Sequence, residues 1–271
     1  MEGFNLAEMK DHQCTACIEY GMKRAPIPTP KKRNSHPLEL TNTDISGKIT
    51  NTSFGGYQYF AVFLDDATAR SAVFFLHNKS ELLSSLKSYK ALVETELPYK
   101  MKLIRLDQAG EHVSNNMKTF INQHGLQLEF SPPYASQSNG SSERLIQELW
   151  KIARTILFEA KLDVRLWAEA ISHANWLRNR LPAQRIGLEI PYTAWTNKRP
   201  DVTPLLLFGQ PGYAFQYRPS TTKGKKFLPR TVFGHFVGMQ SENTLYRIFI
   251  PSSSSIYTCR QNDFKVINKD T

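Results

Sequence analysis

The sequence predicts an α/β domain built on a mixed five-stranded sheet, followed by a small β-rich module. Three observations carry this prediction. Five short strand-like segments lie before residue 131, two of them, Tyr57 to Asp65 and Ser71 to Leu76, dense in aromatic and β-branched residues and joined by a turn. Segments with helical periodicity follow and alternate with the later strands. Beyond Phe208, glycine alternates with aromatic and β-branched residues, the pattern of a compact β unit.

Leu38 to Ile45, Tyr57 to Asp65 and Ser71 to Leu76 form the opening meander, with Asp66 to Arg70 as the turn between the second and third strands. From Ser80 to Glu96, the residues Leu82, Leu83, Leu86, Tyr89, Leu92 and Val93 fall on one helical face. Met101 to Leu106 is a fourth strand ending at Asp107, Asn115 to His124 is a helix, and Leu126 to Phe130 is a fifth strand. A meander followed by strand-helix alternation gives a sheet with both antiparallel and parallel pairs. Pro132 to Gly140 is rich in turn formers and reads as a loop. Ser141 or Ser142 then caps a helix running to Ala160, with Glu143 in its first turn, where a carboxylate suits the helix dipole. A further helix covers Val164 to Arg180 and stops before Pro182. Trp150, Trp167 and Trp176 occupy helical positions and are expected to pack in cores. Gly234 to Gly238 and Leu245 to Ile250 supply strands of the β module.

Composition bounds the function. Of 271 residues, 41% are hydrophobic and 11% aromatic, enough to fill a core and to exclude disorder throughout. The 34 Lys and Arg against 24 Asp and Glu give a net charge of +10, which favours a polyanionic partner. Residues 140 to 240 hold fifteen Lys/Arg and seven Asp/Glu, so the basic character lies mainly in the C-terminal half. Three cysteines, Cys14, Cys17 and Cys259, cannot build a disulfide framework and fit a reducing compartment. No apolar run approaches the roughly 20 residues of a membrane span, and the first residues are too polar for a signal peptide. A soluble intracellular protein with no membrane partner is expected. Residues 1 to 35 form a Cys-containing lead and an extended linker, Ala25-Pro26-Ile27-Pro28-Thr29-Pro30-Lys31-Lys32-Arg33, whose prolines deny helix and central strand.

Asp44 lies in a strand, Asp107 ends one and Glu143 begins a helix, an order that permits all three to converge at one edge of a mixed sheet. Convergent carboxylates hold hard divalent cations, and a metal pair serves in-line phosphoryl displacement. A lone Asp or Glu is more often a solvated surface group. Asp65 and Asp66, close to Asp44 in the sheet, are read as a local hydrogen-bonding feature before a turn.

Three segments carry a family resemblance. They are Leu38-Glu39-Leu40-Thr41-Asn42-Thr43-Asp44-Ile45-Ser46-Gly47, Ile104-Arg105-Leu106-Asp107-Gln108-Ala109-Gly110-Glu111, and Ser131-Pro132-Pro133-Tyr134 with Gln137-Ser138-Asn139-Gly140-Ser141-Ser142-Glu143-Arg144. With 35 residues between Asp107 and Glu143, they resemble the integrases of copia-type long-terminal-repeat retrotransposons. Leu166-Trp167-Ala168-Glu169-Ala170, Asn179-Arg180-Leu181-Pro182, Pro191-Tyr192-Thr193-Ala194-Trp195 and the stretch from Pro229 to Gly238 extend the likeness.

The resemblance implies an RNase H-like catalytic core over residues 36 to 185, between the lead of residues 1 to 35 and a linker and β module at 186 to 271. It implies Asp44, Asp107 and Glu143 as catalytic residues and as ligands of two Mg2+ or Mn2+ ions. Two reactions would share the site: water cleaves near a DNA 3′ end, then the freed 3′ hydroxyl attacks a target phosphodiester. Retroelement ends and target DNA would be the partners, with RNA a further candidate, in a homo-oligomer acting in the nucleus after cytoplasmic assembly. Lys31-Lys32-Arg33 agrees with a nuclear address, although three basic residues after a proline run also suit a plain linker.

Two departures stand out. The family usually carries Asn-Gly-Gly after the second Asp, where this chain has Gln108-Ala109-Gly110 and loses the freedom of the first glycine. The family's N-terminal zinc module pairs two histidines with two cysteines, so the resemblance implies that Cys14 and Cys17 are a truncated module; with His12 they offer three ligands where structural zinc takes four. On the helix of Glu143, Arg144, Gln147, Lys151 and Arg154 recur near one face and are candidate DNA contacts, as are Lys223, Lys225, Lys226 and Arg230. The rival reading is a catalytically silent nucleic-acid-binding remnant or domesticated retroelement protein.

Overall fold

The computed structural model describes residues 36–106, 114–130, 140–217, 229–240 and 245–267. Five strands form the first sheet: β1 (Leu40–Ile45), β2 (Tyr59–Asp65), β3 (Ser71–Leu76), β4 (Leu103–Leu106) and β5 (Gln127–Phe130). Their order is β3-β2-β1-β4-β5, antiparallel across the meander and parallel from β1 through β5. The mixed five-stranded sheet read from the sequence is present.

The period of two along β2 sorts its side chains into two cores. Ala61 and Phe63 join Leu86 and Tyr89 of α1 (Leu82–Glu96) and Met117 and Phe120 of α2 (Asn115–Gln123). Phe60, Val62 and Leu64 join Leu145, Leu149 and Ala153 of α3 (Gly140–Ala160) and Ile171 and Ala174 of α4 (Trp167–Arg178). Trp167 is buried in this second core, with Trp150 packed against it, and Trp176 packs in the β module's core, as their helical positions led one to expect.

Local chemistry moves several predicted boundaries. The first strand begins at Leu40 and not at Leu38, because Leu38 takes a positive φ of 67° and gives its N–H to Asp65 Oδ1 at 2.7 Å. Asp65 also accepts from the Thr68 N–H and hydroxyl, so it is the local hydrogen-bonding hub expected of it, and burial pushes its carboxyl up. Asp66 pairs with Arg185. Helix α3 begins at Gly140, so neither Ser141 nor Ser142 stands outside it as a cap. Ser142 is buried at the same helical spacing as Leu145 and Leu149 and so belongs to the inward face. The helix expected from Val164 to Arg180 is broken into a 3-10 turn, Val164–Leu166, and α4. Asp163 tightens that turn by accepting from the Arg165 N–H at 2.8 Å. A short helix not read from the sequence, α5 (Pro191–Thr196), is anchored by Trp195 Nε1 donating to Glu96 Oε2.

The second sheet is antiparallel, in the order β10-β6-β7-β8-β9, from β6 (Pro211–Phe215), β7 (Thr231–Gln240), β8 (Leu245–Ile250), β9 (Ser255–Arg260) and β10 (Phe264–Val266). Gly212 and Gly234 lie opposite each other on β6 and β7. A Cβ on Gly234 would come within 2.5 Å of Ile248 Cγ2, so only glycine fits there. The module packs on the core through α4: Val237 and Phe249 cluster with Leu166, and the His173 ring lies among Trp176, Phe208 and Phe236. No helix among the described residues is long and apolar enough to cross a membrane.

Candidate active site

Asp44 and Glu143 approach the site from different layers. Across the antiparallel pair, Asp44 lies directly opposite Val62, and residues so paired point to the same face of a sheet. Val62 packs with Leu145 and Leu149 of α3. Asp44 therefore stands on the face that α3 covers, while its neighbour Ile45 turns to the opposite core. The Asp44 carboxylate is half-buried and accepts the Ile45 N–H at 2.8 Å. Glu143 sits exposed in the first turn of α3, and α3 packs on both β1 and β2.

Asp107 lies outside the described residues, as do Cys14, Cys17, Lys223, Lys225 and Lys226. Strand β4 ends at Leu106, one residue before Asp107 in the chain. Its Arg105 lies level with Asn42, and each of these two precedes one of the candidate carboxylates by two residues. Among the described residues, no group of three or more His, Cys, Asp or Glu side chains is placed to hold a metal ion.

On α3, Arg144, Gln147, Lys151 and Arg154 are all exposed. Two of them are steadied by their own helix: Arg144 Nε donates to Gly140 O at 2.6 Å, and Arg154 Nε donates to Trp150 O at 3.2 Å. Arg230 is exposed immediately before β7.

A polar row on the sheet face of Asp44 escaped the sequence reading. Arg105 lies level with Glu129 on β5 and donates to its Oε2 from Nη2 at 3.0 Å and from Nε at 3.3 Å. Its Nη1 is 3.5 Å from Asn42 Oδ1. Asn42 is buried, and its Nδ2 has no hydrogen-bond partner among the described residues. The available signal was the strand period, since residues two apart share a face.

No protein-family model matches the chain. Over 253 residues, 93% of its length, the chain is 31% identical to the retrovirus-related Pol polyprotein from transposon TNT 1-94 of Nicotiana tabacum. The chain belongs to the Pol region of copia/Ty1-type retrotransposons. The truncated transposon Ty1-A Gag-Pol polyprotein of Saccharomyces cerevisiae is 27% identical over 248 residues, 89% of the chain. The chain spans 19% and 20% of the lengths of these two relatives. A simian T-cell lymphotropic virus intasome in complex with PP2A regulatory subunit B56 gamma is similar in structure, with a TM-score of 0.55 and 17% identity. That match covers 96% of this chain and 89% of the viral chain. The fold is accordingly an RNase H-like mixed five-stranded sheet with helices, followed by an antiparallel β module.

Proposed function

We propose that this retrotransposon Pol region is an integrase that cleaves DNA near 3′ ends and joins the freed ends to target DNA, using Asp44, Asp107 and Glu143. The observation that carries this reading is the placement of Asp44 on the sheet face that α3 covers, with Glu143 in the first turn of that helix. A half-buried carboxylate and an exposed one offer hard oxygen donors, and this donor chemistry suits Mg2+ or Mn2+. Such ions, when bound, favour deprotonation of the attacking oxygen and offset charge on the leaving one. The protein's own part is to hold donors and substrate. Strand β1, paired with β2, and helix α3, packed on β2 through Val62, Leu145 and Leu149, fix the two carboxylates on rigid elements. The exposed Arg144, Gln147, Lys151 and Arg154 lie along one stretch of α3 beyond Glu143, where they take backbone phosphates independently of sequence. Arg230 and, from the same stretch of sequence, Lys223, Lys225 and Lys226 are further phosphate contacts in this proposal.

Retroelement ends and target DNA are the proposed substrates, with a homo-oligomer acting in the nucleus as the working form. Zinc enters only where two further ligands complete the Cys14 and Cys17 pair. Joining of a duplex with recessed 3′ hydroxyl ends to plasmid DNA tests the proposal. A second reading, DNA binding without joining, is favoured by the Gln108-Ala109-Gly110 departure after Asp107. It differs in one outcome: such a protein binds DNA and joins none.

A further inference from the structure

The polar row beside Asp44 contains an arginine whose surroundings do not require it for folding. Arg105 is held by Glu129 in an ion pair whose side chains are 23% and 46% exposed. Such a pair contributes little net stability. On its other side lies Asn42, about 99% buried on the α3 face of the sheet, with Oδ1 near the guanidinium and no partner for Nδ2 among the described residues. Arg105, its side chain 23% exposed, is the member of this row that an acceptor arriving from outside the protein can reach.

The position of the row identifies that acceptor. Strands rise about 3.3 Å per residue, so Arg105 and Asn42 lie roughly 6.6 Å along the sheet from the level of Asp44. A nucleic-acid strand advances about 3.4 Å per nucleotide along a duplex axis, which makes this offset about two nucleotides. A guanidinium fork matches a phosphate bidentately as well as it matches a carboxylate.

We propose that Arg105 is a phosphate anchor, exchanging Glu129 for a DNA backbone phosphate close to the reacting one. This rests on the reading of the core as a DNA-joining site. In the complex Glu129 is the displaced competitor, so the two members of one ion pair act on DNA affinity in opposite directions.

The test measures binding of the full chain to duplex DNA in EDTA across a salt series, for wild type, Arg105→Ala, Glu129→Gln and the double variant, with Glu189→Gln as a charge-matched control remote in sequence. The anchor requires Arg105→Ala to weaken binding about tenfold and to lower the salt slope by about 0.9. It requires Glu129→Gln to tighten binding more than Glu189→Gln does, and that gain to vanish in the Arg105→Ala background. Melting temperatures report whether each variant is folded, and Arg105→Lys, which keeps the charge without the fork, provides a second variant should Arg105→Ala unfold. If Arg105 serves only the sheet, both single variants lose the same pair and shift affinity alike or not at all, which overturns the anchor. Wild-type protein that binds DNA while Arg105→Ala and Arg105→Lys bind with the same affinity and slope defeats the anchor alone; wild-type protein that binds no DNA defeats the DNA-joining reading with it.

Discussion

Glu169 of α4 and Arg247 of β8 form an ion pair of 3.1 Å across the junction of the core and the β module, with the Glu169 side chain only 8% exposed. Burial pushes the Glu169 carboxyl up, and the adjacent guanidinium draws it partly back. Removing the cation strands a buried carboxylate. Arg247→Ala should therefore cost about 2 kcal/mol, less than the loss of a fully buried pair because Arg247 is partly exposed. Adding Glu169→Gln should recover part of the loss. Chemical denaturation of the three variants checks this, and an Arg247→Ala protein as stable as wild type would mean the pair does not hold the junction.

His173, at the same junction, sets a pH dependence. Burial among Trp176, Phe208 and Phe236 lowers its imidazole pKa to about 4. The unfolded chain then binds a proton that the folded chain refuses between about pH 6.5 and 4. Stability from this group is therefore fully present above pH 6.5 and is lost as pH falls through that window, by roughly 3 kcal/mol at most. His173→Gln should flatten the acid limb of a stability-pH curve, which urea midpoints between pH 4 and 8 would show.

Much of this arrangement was legible in the sequence because it rests on local periodicity. The strands around Asp44, Val62 and Ile104 and the helices of Leu86 and Leu149 follow from apolar spacing alone, and the role of Asp65 follows from its place before a turn. Features made by pairing distant segments were not legible. Arg105 meets Asn42 across 63 positions and Arg247 meets Glu169 across 78, and no window of sequence contains either pair. Helix α5 is six residues long and depends on Trp195 reaching Glu96. Gly140 enters α3 although glycine is a poor helix former, because burial of Ser142 and Leu145 behind it decides the first turn.

The basic face of α3 gives a third prediction. Lys151 and Arg154 are exposed, so Lys151→Ala with Arg154→Ala should change stability by no more than about 0.5 kcal/mol. If each takes one phosphate, the log-log slope of DNA affinity against salt should fall by about 1.8 in magnitude. Fluorescence anisotropy titrations from low to high salt read that slope directly, and an unaltered slope would remove these two residues from the DNA contact.

The central claim is that Asp44, Asp107 and Glu143 form one strand-joining site. Its most direct measurement is joining of a recessed-end duplex to plasmid DNA in Mg2+ or Mn2+ by wild-type protein and by Asp107→Asn, with DNA binding measured alongside. Asn keeps the shape of Asp but removes the charge that holds cations, and the basic surface is unaltered. The account expects wild type to join strands and Asp107→Asn to bind DNA with similar affinity while joining none. Wild-type protein that is folded and binds DNA yet joins nothing with either metal, or an Asp107→Asn protein that joins as well as wild type, would contradict it.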